Sequence, residues 1–197
     1  MQAGDTVVLT VVSGALARWL RSRGVRTEGL ELRALVPVSI RPRDQGRALG
    51  NQIVLMRGPL PVYIEDPVAR LRVVKQAMDG LKESKQAVGA EVLAAVENFA
   101  PPTILAQASR LNFSTRAYNL LVTNVPGPQF PLYCAGARLV ANYPVSVITD
   151  GMGLNITVMS YCGTLDFGIV ADRDQMPDVW RLIDWLEDSL AELEEAG

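Results

Sequence analysis

The sequence has 197 residues, 49% of them hydrophobic and 20% charged, with a formal net charge of −2. A chain of this length buries a core as one large or two small domains, and a near-neutral charge without a basic stripe argues against binding of duplex nucleic acid. The sequence also contains no histidine, which excludes Ser-His, Cys-His and histidine-based metal schemes within this chain.

Two further counts bear on the compartment of the protein. Cys134 and Cys162 lack the spacing of a metal site, so we predict free, buried thiols of the kind usual in intracellular proteins. The apolar run at 7–16 is too short to cross a bilayer, and we expect no signal peptide. The slight apolar excess indicates a surface that meets a partner, a lipid or a second domain.

The first half of the chain predicts a helix followed by two strands. Apolar residues at three- and four-residue spacing predict a helix over 5–23, with Asp5 as its N-cap and its apolar stripe packed on a sheet. A strand follows at 32–40, and Pro37 inside it favours an edge position or a bulge. A second strand at 51–57 is expected to end at Gly58 and Pro59, and the two strands are able to pair.

The middle of the chain predicts helices. Asp66 and Pro67 are typical of a helix start, with a capping carboxylate and proline at the first helical position. Its solvated side is expected to carry basic and acidic residues, among them Arg70, Arg72, Lys75 and Lys82. We predict a second helix at 91–99 and a short third one at 103–111.

The C-terminal half predicts a β platform and a last helix. A strand at 118–125 is stopped by Pro126 and Pro128, and strands follow at 154–162 and 165–170. Alternation along the second of these strands gives one apolar and one polar face, the latter formed by Asn155, Thr157 and Tyr161; such a face is either solvated or functional. The acidic connector at 171–178 indicates a metal site, acid/base chemistry or helix capping, and capping is favoured because Pro177 suits the first turn of the final helix.

The order of helix, two strands, helices, strands and helix predicts an α/β fold, in which a mixed β-sheet packs against helices. We expect one domain over residues 1–197. The glycines at 151 and 153 precede a strand rather than a helix, so they do not indicate a dinucleotide-binding loop.

Two positions stand out as candidate site residues on residue type alone. Asn124 comes directly before a turn in which Pro126 fixes the exit of the strand and Gly127 permits close backbone approach. An amide there would orient a carbonyl group, although a structural turn with a satisfied asparagine explains the same residues. Asp5 has a similar pair of explanations, a helix cap or a site residue.

Several motifs resemble a known family. The residues N-V-P-G-P at 124–128, D-G-M-G-L-N-I-T-V-M-S-Y at 150–161 and D-F-G-I-V-A-D-R-D at 166–174 resemble the C-terminal domain of bacterial wax ester synthase/acyl-CoA:diacylglycerol acyltransferases. The likeness continues upstream through A-L-V-P-V-S-I-R at 34–41. The family carries an Asn-Asp pair where the first helix of this half begins, whereas this chain has Gly4 and Asp5.

The resemblance implies a chloramphenicol-acetyltransferase-like half and an acyl-CoA-dependent O-acyltransferase. It implies that the catalytic residue lies in a partner, the N-terminal domain with the motif His-His-x-x-x-Asp-Gly, that acyl-CoA and diacylglycerol or a fatty alcohol are substrates, and that no cofactor or metal is needed. No residue of this chain is then catalytic. The implied lining of an interdomain substrate tunnel comprises Asp5, Asn124, Pro126, Gly127, Asn155, Thr157 and Tyr161.

Other functions stay open on the sequence. The chain is alternatively a non-catalytic acyl-CoA- or lipid-binding module, or an interaction domain that forms a homodimer. We predict a cytoplasmic location from the free cysteines and the missing signal peptide. The lipid substrates that the resemblance implies add contact with a membrane surface or with lipid droplets. We expect no catalysis by the isolated chain.

Overall fold

The computed structural model describes residues 3–39, 53–83, 118–148 and 151–197. The predicted helices at 91–99 and 103–111 lie outside these residues. Helices and strands, numbered in chain order, are α1 (Ala3–Ser22), β1 (Leu32–Ser39), β2 (Ile53–Leu60), α2 (Pro67–Glu83), β3 (Leu120–Val125), β4 (Tyr133–Cys134), β5 (Ala137–Arg138), β6 (Leu154–Tyr161), β7 (Thr164–Ala171) and α3 (Arg181–Glu195).

Five of the strands form one mixed sheet in the order β2-β1-β3-β6-β7, which confirms the predicted fold class. The outer pairs, β1 with β2 and β6 with β7, are antiparallel along eight residue pairs each. The inner strands β1, β3 and β6 run parallel. The contact between β1 and β3 is short, because only Ala34 with Leu120 and Leu35 with Leu121 are in register.

Prolines in the first two strands sit where the sheet tolerates them. Pro37 pairs with Leu55 of β2 but lies beyond the short contact between β1 and β3. The prediction of an edge strand is therefore wrong for β1 as a whole, although Pro37 itself lies where β3 does not pair. Pro59 lies in β2, an outermost strand of the described sheet, so β2 continues to Leu60 instead of ending at Gly58.

One face of the sheet carries the three helices. The apolar stripe of α1, including Val8, Val12 and Leu16, packs against side chains from the strands of the five-stranded sheet. Val74 and Met78 of α2 and Leu182 of α3 complete the same core. This arrangement confirms the predicted packing of the first helix on a sheet, since alternate strand residues such as Val122 and Ile156 point toward it.

The opposite face of the sheet is covered in part by the chain itself. Residues 142–147 lie over β6 and β7, where the Asn142 main-chain N–H donates to Asp166 at 2.7 Å and Asn155 donates to the Val147 carbonyl at 2.8 Å. Gly168 is needed beneath this segment, because a Cβ there would lie 1.6 Å from the Pro144 carbonyl oxygen. The polar face of β6 is therefore buried, and its interpretation as a solvated face is wrong.

Two hairpins turn through residues with positive φ. Ala135 and Gly136 join β4 to β5 with φ of 48° and 84°, and Cys162 and Gly163 join β6 to β7 with φ of 46° and 89°. Positive φ at both central residues is the geometry of a tight hairpin turn that follows the twist of the strands. Both cysteines are free; because they lie at these turns, Cys134 is exposed and Cys162 is half-buried, so the prediction of buried thiols is wrong.

The helix starts differ from the predictions in two places. Helix α1 begins at Ala3, so Asp5 is not its N-cap but lies in its first turn. The negative charge of Asp5 at this position still interacts favourably with the helix dipole. Helix α3 begins at Arg181, and Pro177 lies in the turns before it. The start of α2 is as predicted, because Asp66 accepts a hydrogen bond from the Ala69 N–H at 2.6 Å.

Arg70 does not belong to the solvated side of α2, which corrects the prediction. Its side chain is 3% exposed and donates to the carbonyls of Ile64 at 3.1 Å and Glu65 at 2.9 Å. Burial lowers the pKa of Arg70, and the positive charge of Arg18 acts in the same direction. The sequence pattern of α2 does not reveal this burial, because Arg70 Nη1 lies close to Gly14 of α1, as does Ser189 of α3.

Among the described residues, none of the helices has the length and apolar character needed to span a bilayer.

Candidate functional site

The carboxyl ends of the parallel strands β3 and β6 meet at one edge of the sheet. Asn124 is the second-to-last residue of β3, and Tyr161 is the last residue of β6. In open α/β sheets, ligands usually bind outside the carboxyl ends of such strands. This edge therefore gathers Asn124, Pro126, Gly127 and Tyr161, and it is the candidate functional site.

Asp5 and Asn124 are joined although 119 residues separate them in sequence. The side-chain amide of Asn124 donates to Asp5 Oδ1 at 2.7 Å. Gly4 is also close, since a Cβ at that position would lie 3.6 Å from Asn124 Nδ2. The contact fixes the first turn of α1 against the end of β3, so the two positions that the sequence singled out form one polar pair.

The turn after β3 is held against the end of β6 by a small network of hydrogen bonds. The Gly127 N–H and the Gln129 side-chain amide each donate to Ser160 Oγ at 3.1 Å. Gln129 also accepts from the Gly163 N–H at 3.0 Å, which links the turn to the β6–β7 hairpin. A side chain at Gly127 would not fit, because its Cβ would lie 2.1 Å from the Ser160 carbonyl oxygen.

An open groove of about 390 Å³ lies beside this network. Its lining combines main-chain groups, two hydroxyls and one side-chain amide with two apolar side chains, and comprises Pro126, Gly127, Gln129, Ser160, Gly163, Thr164 and Leu165. Ser160 and Gln129 were not predicted as site residues. Their signal in the sequence is their position at the ends of the two strands, which becomes visible only once β3 and β6 are known to be neighbours.

Tyr161 has a structural contact at this edge. Its ring is buried, and its hydroxyl donates to the Leu139 carbonyl at 3.1 Å and accepts from the Leu132 N–H at 2.9 Å. Since β4 and β5 lie between Leu132 and Leu139, the hydroxyl holds the base of that hairpin. A second groove of about 220 Å³ lies between this hairpin and the β6–β7 turn.

Asn155 and Thr157 lie apart from the carboxyl-end edge. Asn155 is 1% exposed and donates to Ser146 Oγ at 3.1 Å and to the Val147 carbonyl at 2.8 Å. Thr157 is 6% exposed and donates to Asn155 Oδ1 at 2.9 Å. Both side chains therefore face residues 142–147 of the same chain. Asp166, a buried carboxylate on the same face, was not predicted and anchors Asn142 there.

The chemistry available at the edge is that of amides, hydroxyls and one carboxylate. Such groups bind and orient a carbonyl or an amide, but the sequence supplies no imidazole to take a proton near neutral pH. Within the described ranges, no group of three or more acidic, cysteine or histidine side chains is placed to hold a metal ion.

The same fold occurs in larger solved enzymes. The wax ester synthase/diacylglycerol acyltransferase from Marinobacter aquaeolei VT8 superposes on 98% of this chain with a TM-score of 0.71 and 26% identity, and this chain covers 43% of it. The epimerization domain from the third module of tyrocidine synthetase B has the same fold at a TM-score of 0.60 and 14% identity. The chain is therefore one chloramphenicol-acetyltransferase-like half, an α/β unit with a mixed sheet.

Sequence comparison identifies the family. The model of the WS/DGAT C-terminal domain matches residues 49–194, and the chain belongs to this family. A probable diacylglycerol O-acyltransferase of Mycobacterium tuberculosis is 38% identical over 98% of this chain. The O-acyltransferase WSD of Acinetobacter baylyi is 35% identical over 94% of it. The chain spans 44% and 40% of the lengths of these two relatives.

Proposed function

We propose that residues 1–197 form one domain, the half of an O-acyltransferase that binds and orients substrate beside a catalytic half. The observation that carries this proposal is the match of residues 49–194 to the WS/DGAT C-terminal domain, in a sequence without histidine. The parent enzyme moves a fatty acyl group from acyl-CoA to diacylglycerol or to a long-chain alcohol. Acyl-CoA is a substrate, and no cofactor takes part.

The proposed mechanism requires a base from the partner half. A histidine of the His-His-x-x-x-Asp-Gly motif takes the proton from the alcohol, and the resulting alkoxide attacks the thioester carbonyl. A tetrahedral oxyanion forms and collapses, the C–S bond breaks, and the CoA thiolate takes the proton back from the imidazolium. The acyl group passes directly to the alcohol, so no acyl-enzyme is needed.

This chain contributes two groups of side chains to the tunnel between the halves. Asn124, held by Asp5, and the turn at Pro126 and Gly127 lie at the carboxyl-end edge, where an amide is able to orient a carbonyl or the pantetheine arm of CoA. Asn155, Thr157 and Tyr161 are buried beneath the chain's own segments. We assign these three a positioning role, in which they hold residues 132–147 as part of the tunnel wall.

The acyl acceptors are lipids, so the assembled enzyme works at a lipid surface. We propose a cytoplasmic protein in peripheral contact with a membrane or with lipid droplets.

The test is an ester-forming assay with palmitoyl-CoA and either dioleoylglycerol or hexadecanol. The isolated chain is expected to give no ester, whereas the chain joined to a half with the histidine motif is expected to turn over. Replacing that histidine should lower the rate by about 10²–10⁴-fold. In the joined enzyme, Asn124→Ala should lower the rate more than Asn119→Ala, an exposed asparagine at the other end of β3.

Ester formation by a rigorously pure sample of the isolated chain would contradict the proposal. The missing histidine also supports a second candidate function, a non-catalytic module that binds acyl-CoA or forms a homodimer. Calorimetry with palmitoyl-CoA separates the two, because the module binds acyl-CoA tightly without any second half and the joined protein gains no turnover.

A further inference from the structure

The hairpin of β4 and β5 carries an exposed apolar surface. Phe130, Leu132 and Tyr133 are 63%, 39% and 65% exposed. Every residue from 129 to 138 is exposed, so this part of the chain projects from the body of the domain. Residues 130–139 are hereafter the apolar hairpin. An exposed apolar surface of this kind marks contact with a protein, a membrane or a ligand.

The base of the apolar hairpin is fixed, whereas its tip is free of the core. The Leu139 N–H donates to the Leu132 carbonyl at 2.9 Å, and the Tyr161 hydroxyl bonds to the main chain of both residues. Beyond this base, two residue pairs join β4 to β5. The exposed side chains are therefore held on an ordered backbone, and a contact with them incurs little further loss of conformational entropy.

The charge and the residue types of the apolar hairpin fit a lipid bilayer. Residues 117–149 contain a single charged side chain, Arg138, and no acidic residue. Arg138 lies directly opposite Tyr133 across the hairpin. Arginine and tyrosine both combine an apolar body with a polar end, which suits the boundary between headgroups and acyl chains. The positive charge also attracts anionic headgroups.

Another exposed apolar surface, at the start of α3, has a different chemistry. Trp180 and Ile183 are 63% and 53% exposed. The acidic side chains of Asp184 and Glu187 are exposed beside them. Carboxylates are unfavourable near acyl chains and are repelled by anionic headgroups. Exposure of an aromatic residue is thus common to both surfaces, but only the hairpin combines it with a lack of negative charge.

The apolar hairpin lies between the two grooves described above. Gln129, directly before the hairpin, lines the groove of about 390 Å³ at the candidate site. Arg138, Leu139 and Val140 line the groove of about 220 Å³. A bilayer in contact with the hairpin would therefore lie beside both grooves. A lipid could then pass from the bilayer to the site without exposing its acyl chains to water, which is unfavourable.

We propose that the apolar hairpin is the surface through which the assembled enzyme binds a lipid bilayer, with Phe130, Leu132 and Tyr133 at the level of the headgroups and the adjoining acyl chains. The proposal rests on the proposed function, since a diacylglycerol acceptor is a lipid of the bilayer. It assigns the membrane contact to one element, whose base belongs to the tunnel wall and whose exposed side chains contact lipid.

The first test measures the depth of the hairpin in the bilayer. It uses this chain joined in one polypeptide to the preceding half of the Mycobacterium tuberculosis relative, with all cysteines except Cys134 replaced by serine. Cys134 is exposed in the hairpin and carries a nitroxide. Vesicles of dioleoylphosphatidylcholine, dioleoylphosphatidylglycerol and dioleoylglycerol should raise the accessibility of this nitroxide to oxygen and lower its accessibility to a water-soluble nickel complex. With Cys134→Ser, a nitroxide at Ile183→Cys should stay accessible to the nickel complex.

The second test removes the apolar side chains. Phe130→Ser combined with Tyr133→Ser should weaken binding to the vesicles by about tenfold or more, because the aromatic surface no longer leaves water. Ester formation with dioleoylglycerol in vesicles should fall with it, whereas ester formation with hexan-1-ol dissolved in water should not change. Trp180→Ser is the matched control, since Trp180 is as exposed as Phe130, and it should change neither activity. An unchanged thermal midpoint shows that each variant folds.

The outcomes separate this inference from the proposed function. A nitroxide at residue 134 that stays in water on the vesicle-bound enzyme would overturn the inference, as would equal losses of vesicle binding in the hairpin and Trp180 variants. Immobilisation of that nitroxide without vesicles would also overturn it, because the preceding half would then cover the hairpin. A lipid-buried label without ester from either alcohol would count against the proposed function alone, and ester formation with a label in water against this inference alone.

Discussion

At the scale of single residues, the pair of Asp5 and Asn124 offers a test by charge. Asn124→Asp would place two carboxylates about as close as the present 2.7 Å contact. Two such groups share one proton, which raises the folded-state pKa of one of them above its unfolded value. The destabilisation caused by Asn124→Asp is therefore complete at pH values above the raised pKa. It vanishes at pH values below the pKa of aspartate in the unfolded chain, which is about 3.9.

We expect Asn124→Asp to lower the free energy of unfolding by about 1–3 kcal/mol near pH 7 and by almost nothing near pH 4. Urea unfolding at the two pH values measures the difference. Asn119→Asp is the matched control, because its side-chain oxygen accepts from the Arg33 N–H and an aspartate retains that role. Equal losses at both pH values would mean that Asp5 does not face residue 124.

A second titratable group, Asp178, links the end of α1 to the turns before α3. The hydrogen bond from Arg23 lowers the pKa of Asp178, and a hydrogen bond from Trp19 acts in the same direction. Since the folded-state pKa lies below the unfolded one, the pair stabilises the fold above the unfolded pKa of about 3.9 and the contribution is lost as pH falls toward the folded value.

Arg23→Met should therefore raise the pKa of Asp178 toward its ordinary value, as followed by carboxyl-carbon NMR. Methionine keeps an apolar contact with the Trp19 ring, over which Arg23 now stacks at 4.5 Å. Arg26→Met, which removes an exposed partner of Glu28, should leave the pKa of Asp178 where it is. A pKa that does not move in Arg23→Met would contradict the assigned cause.

Some residue roles followed from the sequence and others did not. The cap at Asp66 was predictable because a cap depends on its nearest neighbours in the chain. The burial of Arg70 was not, since it depends on where α1 and α3 cross α2. The pairing of Asp5 with Asn124 likewise needs the end of β3 to lie beside the first turn of α1, which no local pattern encodes.

At the scale of elements, the junction of the three helices depends on a missing side chain. A Cβ at Gly14 of α1 would lie 2.5 Å from Arg70 Nη1 and 2.7 Å from Ser189 Oγ. In this junction Arg18 also contacts Ser189 and Glu192. Ser13 Oγ and Arg70 Nη1 have no hydrogen-bond partner within the described part of the chain. Arg70 of α2 and Ser189 of α3 are thus able to pack against α1 only because residue 14 is a glycine without a side chain.

Gly14→Ala should lower the free energy of unfolding by about 1–3 kcal/mol, because overpacking outweighs the better helix propensity of alanine. Gly80 of α2 is the matched helical control, as a Cβ there would meet nothing within 4 Å. Gly80→Ala should raise the free energy of unfolding by up to about 1 kcal/mol. Chemical denaturation measures both, and effects of the same sign would refute the crowding at Gly14.

The existence of the elements was more predictable than their ends. Apolar periodicity predicted α1, α2 and α3 and the strands of the large sheet, because each has one face in the core. The end of β2 was missed, since Gly58 and Pro59 read locally as a stop but are accepted in a strand with one paired side. The start of α3 was missed because Pro177 also suits a turn.

At the scale of the whole molecule, the order of the strands in the sheet determines which residues form the site. This strand order could not be predicted from the sequence pattern. Alternation along β6 shows that it has two faces but not that β3 lies beside it, in parallel, with Thr123 opposite Thr157. The groove at Ser160 and Gln129 forms only because β3 and β6 are neighbouring strands. The family resemblance supplied the fold and the expected partner half, whereas the cover of the polar face by residues 142–147 had to be seen.

The short contact between β1 and β3 divides the sheet unequally. Only two residue pairs in register join β1 to β3, whereas five pairs join β3 to β6 and eight pairs join β6 to β7. The Asn119 N–H donates to the Arg33 carbonyl and the Arg33 N–H donates to the Asn119 side chain, and both bonds reinforce the same end. Among the described residues, β1 has no residue in register with β3 from Val36 onward. Thermal opening of the sheet should therefore begin between these two strands, at the end that lies beside Asn124.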